Sequence, residues 1–303
     1  MTNPIQAIRL AHAYKTAVRD CKEFRRIIEP EPVMRSTTSV DAFDEAGRRT
    51  IRRTYWTFIR MLSALLPKDG GGFVADFGCG PANLDIMLSR TMGNLDITAI
   101  ELGPEMIAKA RKNIVDAHRD SMITIVHGDA TIVKLSTANK NAASISLFLA
   151  HHLQDPEALR RLLMNMLWHV SPSGAVLLVD FVRPPTRELA ERIVKLSPTG
   201  IPANDEDFMH SLLAGFSQQE WKEAVQDVNR EGLGRPLSTI TVPVSVFPPS
   251  IPALTAVYLE GEGARRIPLR KDHLPHYGDA TFSDKMLMGI IESGFRRGGF
   301  EYL

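Results

Sequence analysis

Three carboxylates stand at related places in the middle of this chain: Asp76, Glu101 and Asp129. The first two close short apolar runs, over 73–76 and 96–101, and the third follows another, over 123–127. Short apolar runs bounded by turn residues read as buried strands. The acids then sit at strand carboxyl ends, where open α/β sheets bind ligands. After Asp76 comes Gly78-Cys79-Gly80 and then a helical run from Asn83. Glycine has no Cβ and reaches positive φ cheaply, so strand, glycine turn and helix in that order bring backbone close to a small molecule. Glu101 lies 25 residues beyond Asp76, near the roughly 20-residue offset at which an acid reaches ribose hydroxyls. A carboxylate there can accept from two vicinal hydroxyls at once. Asp129 is placed to accept from the amino group of a base.

These acids need a scaffold, and the flanking pattern supplies one. Strands are predicted over 73–76, 96–101, 123–127, 143–149 and 175–181, and helices over 83–91, 104–118 and 156–170, with Pro104 and Pro156 suited to first-turn positions. The Ser171-Pro-Ser-Gly174 turn separates a helix from a strand. Alternating strands and helices imply a mostly parallel sheet covered on both faces. Upstream, Ile8, Ala11, Tyr14 and Val18 suit one amphipathic helix within 1–36, ended by Glu29-Pro-Glu-Pro32. Ser39 and Asp41 are candidate caps for a second helix, which carries Ile51, Tyr55, Phe58, Ile59, Leu62, Leu65 and Leu66 at helical spacing. Downstream, helices are expected over 188–196 and 217–229, the latter opened by a Ser217/Glu220 capping box. Strands over 237–247 and 253–260, joined through Pro248, Pro249 and Pro252, would form a hairpin adding antiparallel strands to the sheet edge. A last helix is expected over 282–294.

The ordered stretches Asp76-Phe-Gly-Cys-Gly-Pro-Ala82, Ile100-Glu101, Gly128-Asp129-Ala130 and Ser146-Leu-Phe-Leu-Ala-His-His-Leu153 resemble the motifs of class I S-adenosylmethionine-dependent methyltransferases. The resemblance covers about residues 40–185 and extends weakly through 208–221. It implies a doubly wound, mostly parallel α/β sheet of seven strands, Rossmann-like, with N-terminal helices and a C-terminal extension. It further implies S-adenosylmethionine as cofactor, held by Asp76, Gly78, Cys79, Gly80, Glu101, Leu102, Asp129, Ala130 and Phe148. Gly78 and Gly80 would make room for the methionine part, Glu101 would hold the ribose, and Asp129 with Ala130 would flank the adenine. The chain departs from the family at Ala82, where the loop often has a third glycine. The same stretch argues against a dinucleotide site, since the sixth position of Gly-x-Gly-x-x-Gly is Asn83.

Candidate catalytic groups are His151, His152 and Asp180. A histidine after the fourth strand could take a proton from an incoming hydroxyl or amine, or could simply pack beside the cofactor. Asp180 could orient a substrate or hold a histidine, or could equally satisfy loop amides. Arg183 and Arg187, beside Pro184-Pro185, could clamp a substrate carboxylate or phosphate, or be solvated. Cys79 reads as a small packing residue rather than a nucleophile. The arginines at 48, 49, 52 and 53 read as a solvated helix face. The histidines make no metal-ligand spacing, so no metal is expected.

With 303 residues, 44% hydrophobic and 23% charged, the chain can build one large domain or two. The expected organisation is N-terminal helices or lid over 1–67, a cofactor-binding core over 68–182, substrate-side helices and the last strands over 183–263, and an extension over 264–303. A net charge of +1 excludes a strong electrostatic footprint for nucleic acid, and no nucleic-acid partner is expected. No tetrapeptide like Asn-Pro-Pro-Tyr follows the fourth strand, which again favours a small-molecule acceptor. No apolar stretch suits a membrane span, no signal peptide is expected, and two distant cysteines, Cys21 and Cys79, suit a reducing cytoplasm. Two other readings stay open: a protein or RNA methyltransferase that recognises its target through 236–303, and a binding module without turnover. A homodimer is compatible with all of them.

Overall fold

The computed structural model describes residues 4–20, 24–29, 33–66, 72–92, 95–136, 141–196, 200–232, 236–242 and 253–259. The chain order is α1 (Pro4–Arg19), α2 (Thr37–Ala46), a π-turn (Gly47–Ile51), α3 (Arg52–Leu65), β1 (Gly72–Phe77), α4 (Asn83–Thr91), β2 (Leu95–Glu101), α5 (Pro104–Asp116), β3 (Ile123–His127) and β4 (Asn141–Leu147). There follow a 3₁₀ turn (Ala150–His152), α6 (Pro156–His169), β5 (Val170–Phe181), α7 (Arg187–Leu196), α8 (Pro202–Ala214), α9 (Gln218–Arg230), β6 (Leu237–Val242) and β7 (Leu254–Leu259).

The strands make one seven-stranded sheet in the order β3-β2-β1-β4-β5-β7-β6. The first five are parallel, and β7 and β6 add an antiparallel hairpin against β5. The α/β sheet expected from the sequence is therefore present, edge hairpin included. Strand order reverses between β1 and β4, the switch point at which a crevice opens above the strand ends. The central strands are near-continuous apolar runs because helices cover both faces: Val74, Ala75, Phe77, Ile145, Val176 and Leu177 are all buried. Phe58, Ile59 and Leu62 of α3 join the same core, each contributing roughly 1.5–3 kcal/mol by leaving water.

Local chemistry explains the helix starts. Asp155 caps α6, accepting from the Ala158 amide at 2.7 Å with Pro156 in the first turn. Ser217 and Glu220 form the expected capping box on α9. Elsewhere the structure differs from expectation. Helix α1 ends at Arg19, and residues 24–29 run on without helix. Helix α2 starts at Thr37, capped by Ser36 rather than by Ser39 or Asp41. The Ser171–Gly174 turn is absorbed into β5 opposite a bulge between Asn141 and Ala143. Helix α8 was not foreseen. The proline-rich link at 248–252, the helix over 282–294 and the extension over 264–303 lie outside the described residues.

Candidate active site

A cavity of about 270 Å³ opens over the carboxyl ends of β1, β2 and β4, and Asp76, Glu101 and Asp129 all line it. Gly78, Cys79, Gly80, Leu102, Ala130 and Phe148 line it too, so every residue assigned to the cofactor from the sequence reaches one cleft. Gly78 has φ +87°, and a Cβ there would stand 2.8 Å from the Leu149 side chain. Gly80 has φ +54°. Gly78 leaves no room for a side chain, and the positive φ at both places favours glycine.

The acids at the ends of β2 and β3 are set by nearby loop groups. Glu101 accepts from the amides of Gly80 at 2.9 Å, Leu102 at 2.9 Å and Gly103 at 2.8 Å. Asp129 uses Oδ1 for the amide and hydroxyl of Thr131, both at 2.8 Å. No described residue bonds its Oδ2. A carboxylate has about four acceptor sites, so both retain capacity for a ligand.

Asp76 is different. It is buried with Asp85 of α4, and neither makes an ion pair with a described residue. Two buried carboxyls side by side cannot both ionise, so they share a proton. Burial raises Asp76 well above the carboxylate range, and the charge of Asp85, its hydrogen bond and the charge of Glu101 add to it. Burial also lifts Asp85, to about 7, against the opposing hydrogen bond from Asp76. Burial and the charges of Asp85, Glu101 and Asp76 push the Cys79 thiol up as well, which leaves it a packing residue and not a thiolate. The N-terminal helices grip this turn from outside. Asp44 accepts from Asn83 and Asn113 at 2.9 Å each, Asn113 also donates to the Pro81 carbonyl, and Arg48 donates to Asn113 at 2.7 Å. Arg48 is thus partly a structural residue, not only a solvated one. Ala82 sits at φ +61° and Phe148 at φ +59°. Both are strained for residues with a side chain, and strain of this kind gathers at ligand sites.

At the other end of the cleft His151, His152 and Asp180 do come together. Nδ1 of His151 is 2.8 Å from Oδ1 of Asp180, whose Oδ2 accepts from the His151 amide at 3.2 Å. Asp180 thus holds a histidine. His152 lines the cavity. Its Nδ1 lies 2.7 Å from Oε2 of Glu29, a carboxylate that sequence reasoning missed. Burial pushes Glu29 up, but the approach and charge of His152, with His151 and the Ser211 hydroxyl, outweigh it and hold the carboxyl at about 2. Burial lowers His151, and Asp180, Glu29 and Asp207 reverse this, leaving it above the usual imidazole value.

The segment that carries Glu29 is strapped down by Arg26. This guanidinium donates to the carbonyls of His151 at 2.9 Å, Leu153 at 2.5 Å, Gln154 at 3.2 Å and Ala214 at 2.5 Å, and stacks over Phe216 at 3.9 Å. It fixes the histidine-bearing turn against α8. Neither arginine expected at the substrate lines the cleft. Arg183 is buried, bonded to Glu220 and to the Gly215 carbonyl at 3.0 Å each, and exposed Arg187 pairs with Glu191. The geometry gives the anion clamp no support. A second hollow of about 180 Å³ shares Met34 and Phe43 with the cleft and is lined further by Asn204, Asp207 and His210 of α8.

With this geometry in view, the comparisons are direct. Residues 74–174 match the family described as a methyltransferase domain. Over 115 residues the chain is 28% identical to demethylmenaquinone methyltransferase of Desulfitobacterium hafniense (strain Y51), covering 38% of this chain and 44% of that protein. The match thus spans less than half the length of the curated relative. Among solved structures, the plantazolicin methyltransferase BpumL in complex with S-adenosylhomocysteine aligns with a TM-score of 0.54 at 14% identity, covering 84% of this chain and 99% of that one. An S-adenosylmethionine-dependent methyltransferase of Aquifex aeolicus aligns with a TM-score of 0.51 at 15% identity, covering 75% and 98%. Residues 74–174 thus carry a methyltransferase domain, in line with the motifs. Among the described residues no helix is long and apolar enough to cross a membrane.

Proposed function

We propose that the chain transfers a methyl group from S-adenosylmethionine to a small-molecule acceptor by in-line displacement. The observation that carries this reading is the convergence of Asp76, Glu101 and Asp129 with the glycine turn on one cleft, and of His152 on its far side. When bound, S-adenosylmethionine supplies a methyl group on a positively charged sulfonium, an electrophile that needs little further activation. The protein's part is then positioning and proton removal. Glu101 accepts from a ribose hydroxyl at its remaining acceptor site while its three amide bonds keep it in place. The free Oδ2 of Asp129 receives the adenine amino group. Asp76 meets the ammonium of the methionine part, which can replace the proton shared with Asp85. His152 takes the acceptor's proton at Nε2, the nitrogen that Glu29 does not face. The Glu29 carboxylate 2.7 Å from its other ring nitrogen supports that role. Asp180 positions His151 beside it.

The small-molecule reading draws support from the hollow beside the cleft, whose size suits a compact acceptor, and from the near-neutral charge of the chain. The quinone named in the curated relative points the same way. Calorimetric titration with S-adenosylmethionine and S-adenosylhomocysteine tests the reading. Both should bind at one site per chain, and absence of heat from both would overturn it. Labelled donor incubated with a metabolite pool then identifies the acceptor.

A further inference from the structure

We propose that Glu29, His151 and His152 form a binding site for a divalent transition-metal ion of the zinc type, open on one side to the cleft. One donor atom from each residue lies within 4.8 Å of the others, and Glu29 and His151 are buried. His151 has only Nε2 to offer, because Asp180 holds Nδ1 at 2.8 Å. An imidazole fixed through one nitrogen by a carboxylate, with the other nitrogen bare, is the arrangement in which histidines bind metals. That Nε2 stands 3.9 Å from Oε1 of Glu29. Nδ1 of His152 is buried and in hydrogen-bond geometry with no described group, yet it lies 2.7 Å from Oε2 of the same carboxylate. Two donors bound at about 2.0–2.1 Å to a tetrahedral ion stand about 3.4 Å apart, so the three side chains, within 4.8 Å of one another, need only a small shift to close around an ion. The Ser211 hydroxyl donates to Oε1 at 3.0 Å and steadies the carboxylate.

Two imidazoles and a carboxylate suit zinc, and accept cobalt or nickel. Three protein donors with a fourth position left open is the pattern of an ion that meets a substrate or water, and here the open side is the cleft that His152 lines. Chain spacing could not announce the site, since Glu29 belongs to the strap at 24–29 and the histidines to the 3₁₀ turn at 150–152. An ion here takes the side chains that the proposed proton transfer uses. The inference itself does not depend on that chemistry, because it is read on the protein without donor or acceptor.

The test is titration of the metal-stripped full chain with Zn²⁺, together with the visible absorption of bound Co²⁺. One ion per chain is expected. Glu29→Gln and His152→Ala should abolish binding, Asp180→Asn should weaken it roughly 10–100-fold, and His127→Ala, whose ring faces the Leu102 carbonyl, should bind as wild type. Thermal melts establish that each variant is folded. If Glu29→Gln fails to fold, His152→Ala carries the test, since that ring is only half-buried. No binding to the wild type, or binding unchanged in both ligand variants, would overturn the proposal. Loss of donor binding in the same protein would leave it untouched and count only against the methyl-transfer reading.

Discussion

The two ends of the cleft are built on opposite plans. At the end proposed for the cofactor Glu101 and Asp129 are held by amides and a hydroxyl within their own or the adjacent loop. At the end proposed for the acceptor Glu29, His151, His152, Asp180 and Ser211 hold one another through side chains drawn from well-separated parts of the chain. Backbone donors survive almost any substitution around them. A side-chain cluster does not, because removing one member leaves another buried without a partner. The contrast predicts that single substitutions act locally at the first end and spread at the second.

The sharpest break is expected at His152→Ala. The proposed base is lost, and turnover should fall about 100-fold or more while calorimetric affinity for S-adenosylhomocysteine stays within a few-fold. A parallel loss of affinity would mean that the two ends are not independent. Next comes Arg26→Ala, which removes donors from four carbonyls and frees the strap. It should lower the unfolding free energy by about 2–4 kcal/mol in denaturant melts. Arg26→Lys should not rescue it, because an ammonium cannot span the same fork of acceptors.

At the other end, Glu101→Ala should weaken S-adenosylhomocysteine binding roughly 10–100-fold, the worth of one charge-assisted hydrogen bond. An unchanged dissociation constant would remove Glu101 from the ribose site. Asp85→Asn tests the shared proton through pH. Asp85 rises to about 7 in the folded chain because of burial, so the native state binds the proton more tightly than the unfolded one. The native state is therefore relatively favoured at low pH, and that advantage is lost as pH rises from about 4 through 7. The Asn variant mimics the protonated form and should raise Tm at pH 8 more than at pH 5; an equal change at both would refute the pairing. The smallest effect is expected at Ala82→Gly. Relief of the left-handed strain should stabilise the chain by up to about 1 kcal/mol with cofactor affinity unchanged.

The same contrast explains what could be read from the chain. Asp76, Glu101 and Asp129 follow apolar runs whose strand character is a local property, and their place above the sheet follows from the α/β alternation. Glu29 and Arg26 carry no such mark, because their partners lie more than a hundred positions away and no periodicity links them. Helix α8 was missed for a related reason. Its apolar residues Phe208, Met209, Leu212 and Leu213 gather in the last turns behind a polar start, Asn204 to Asp207, so no stripe runs along it. Asp85 was visible only as an acid in a first helical turn; its pairing with Asp76 needed the actual packing of α4 on β1. Arg183 and Arg187 looked available because nothing in the sequence shows Glu220 and Glu191 beside them as partners.

The clasp of Asp44 and Arg48 on Asn83 and Asn113 has a practical corollary. The stretch matching the methyltransferase domain begins at residue 74, but the groups that tether its glycine turn come from residues 44 and 48. Anyone trimming the protein to that stretch, or grafting it onto a relative, would strip two buried amides of their acceptors and let the loop drift. The unit that can be transplanted intact must carry helix α2 and the π-turn with it.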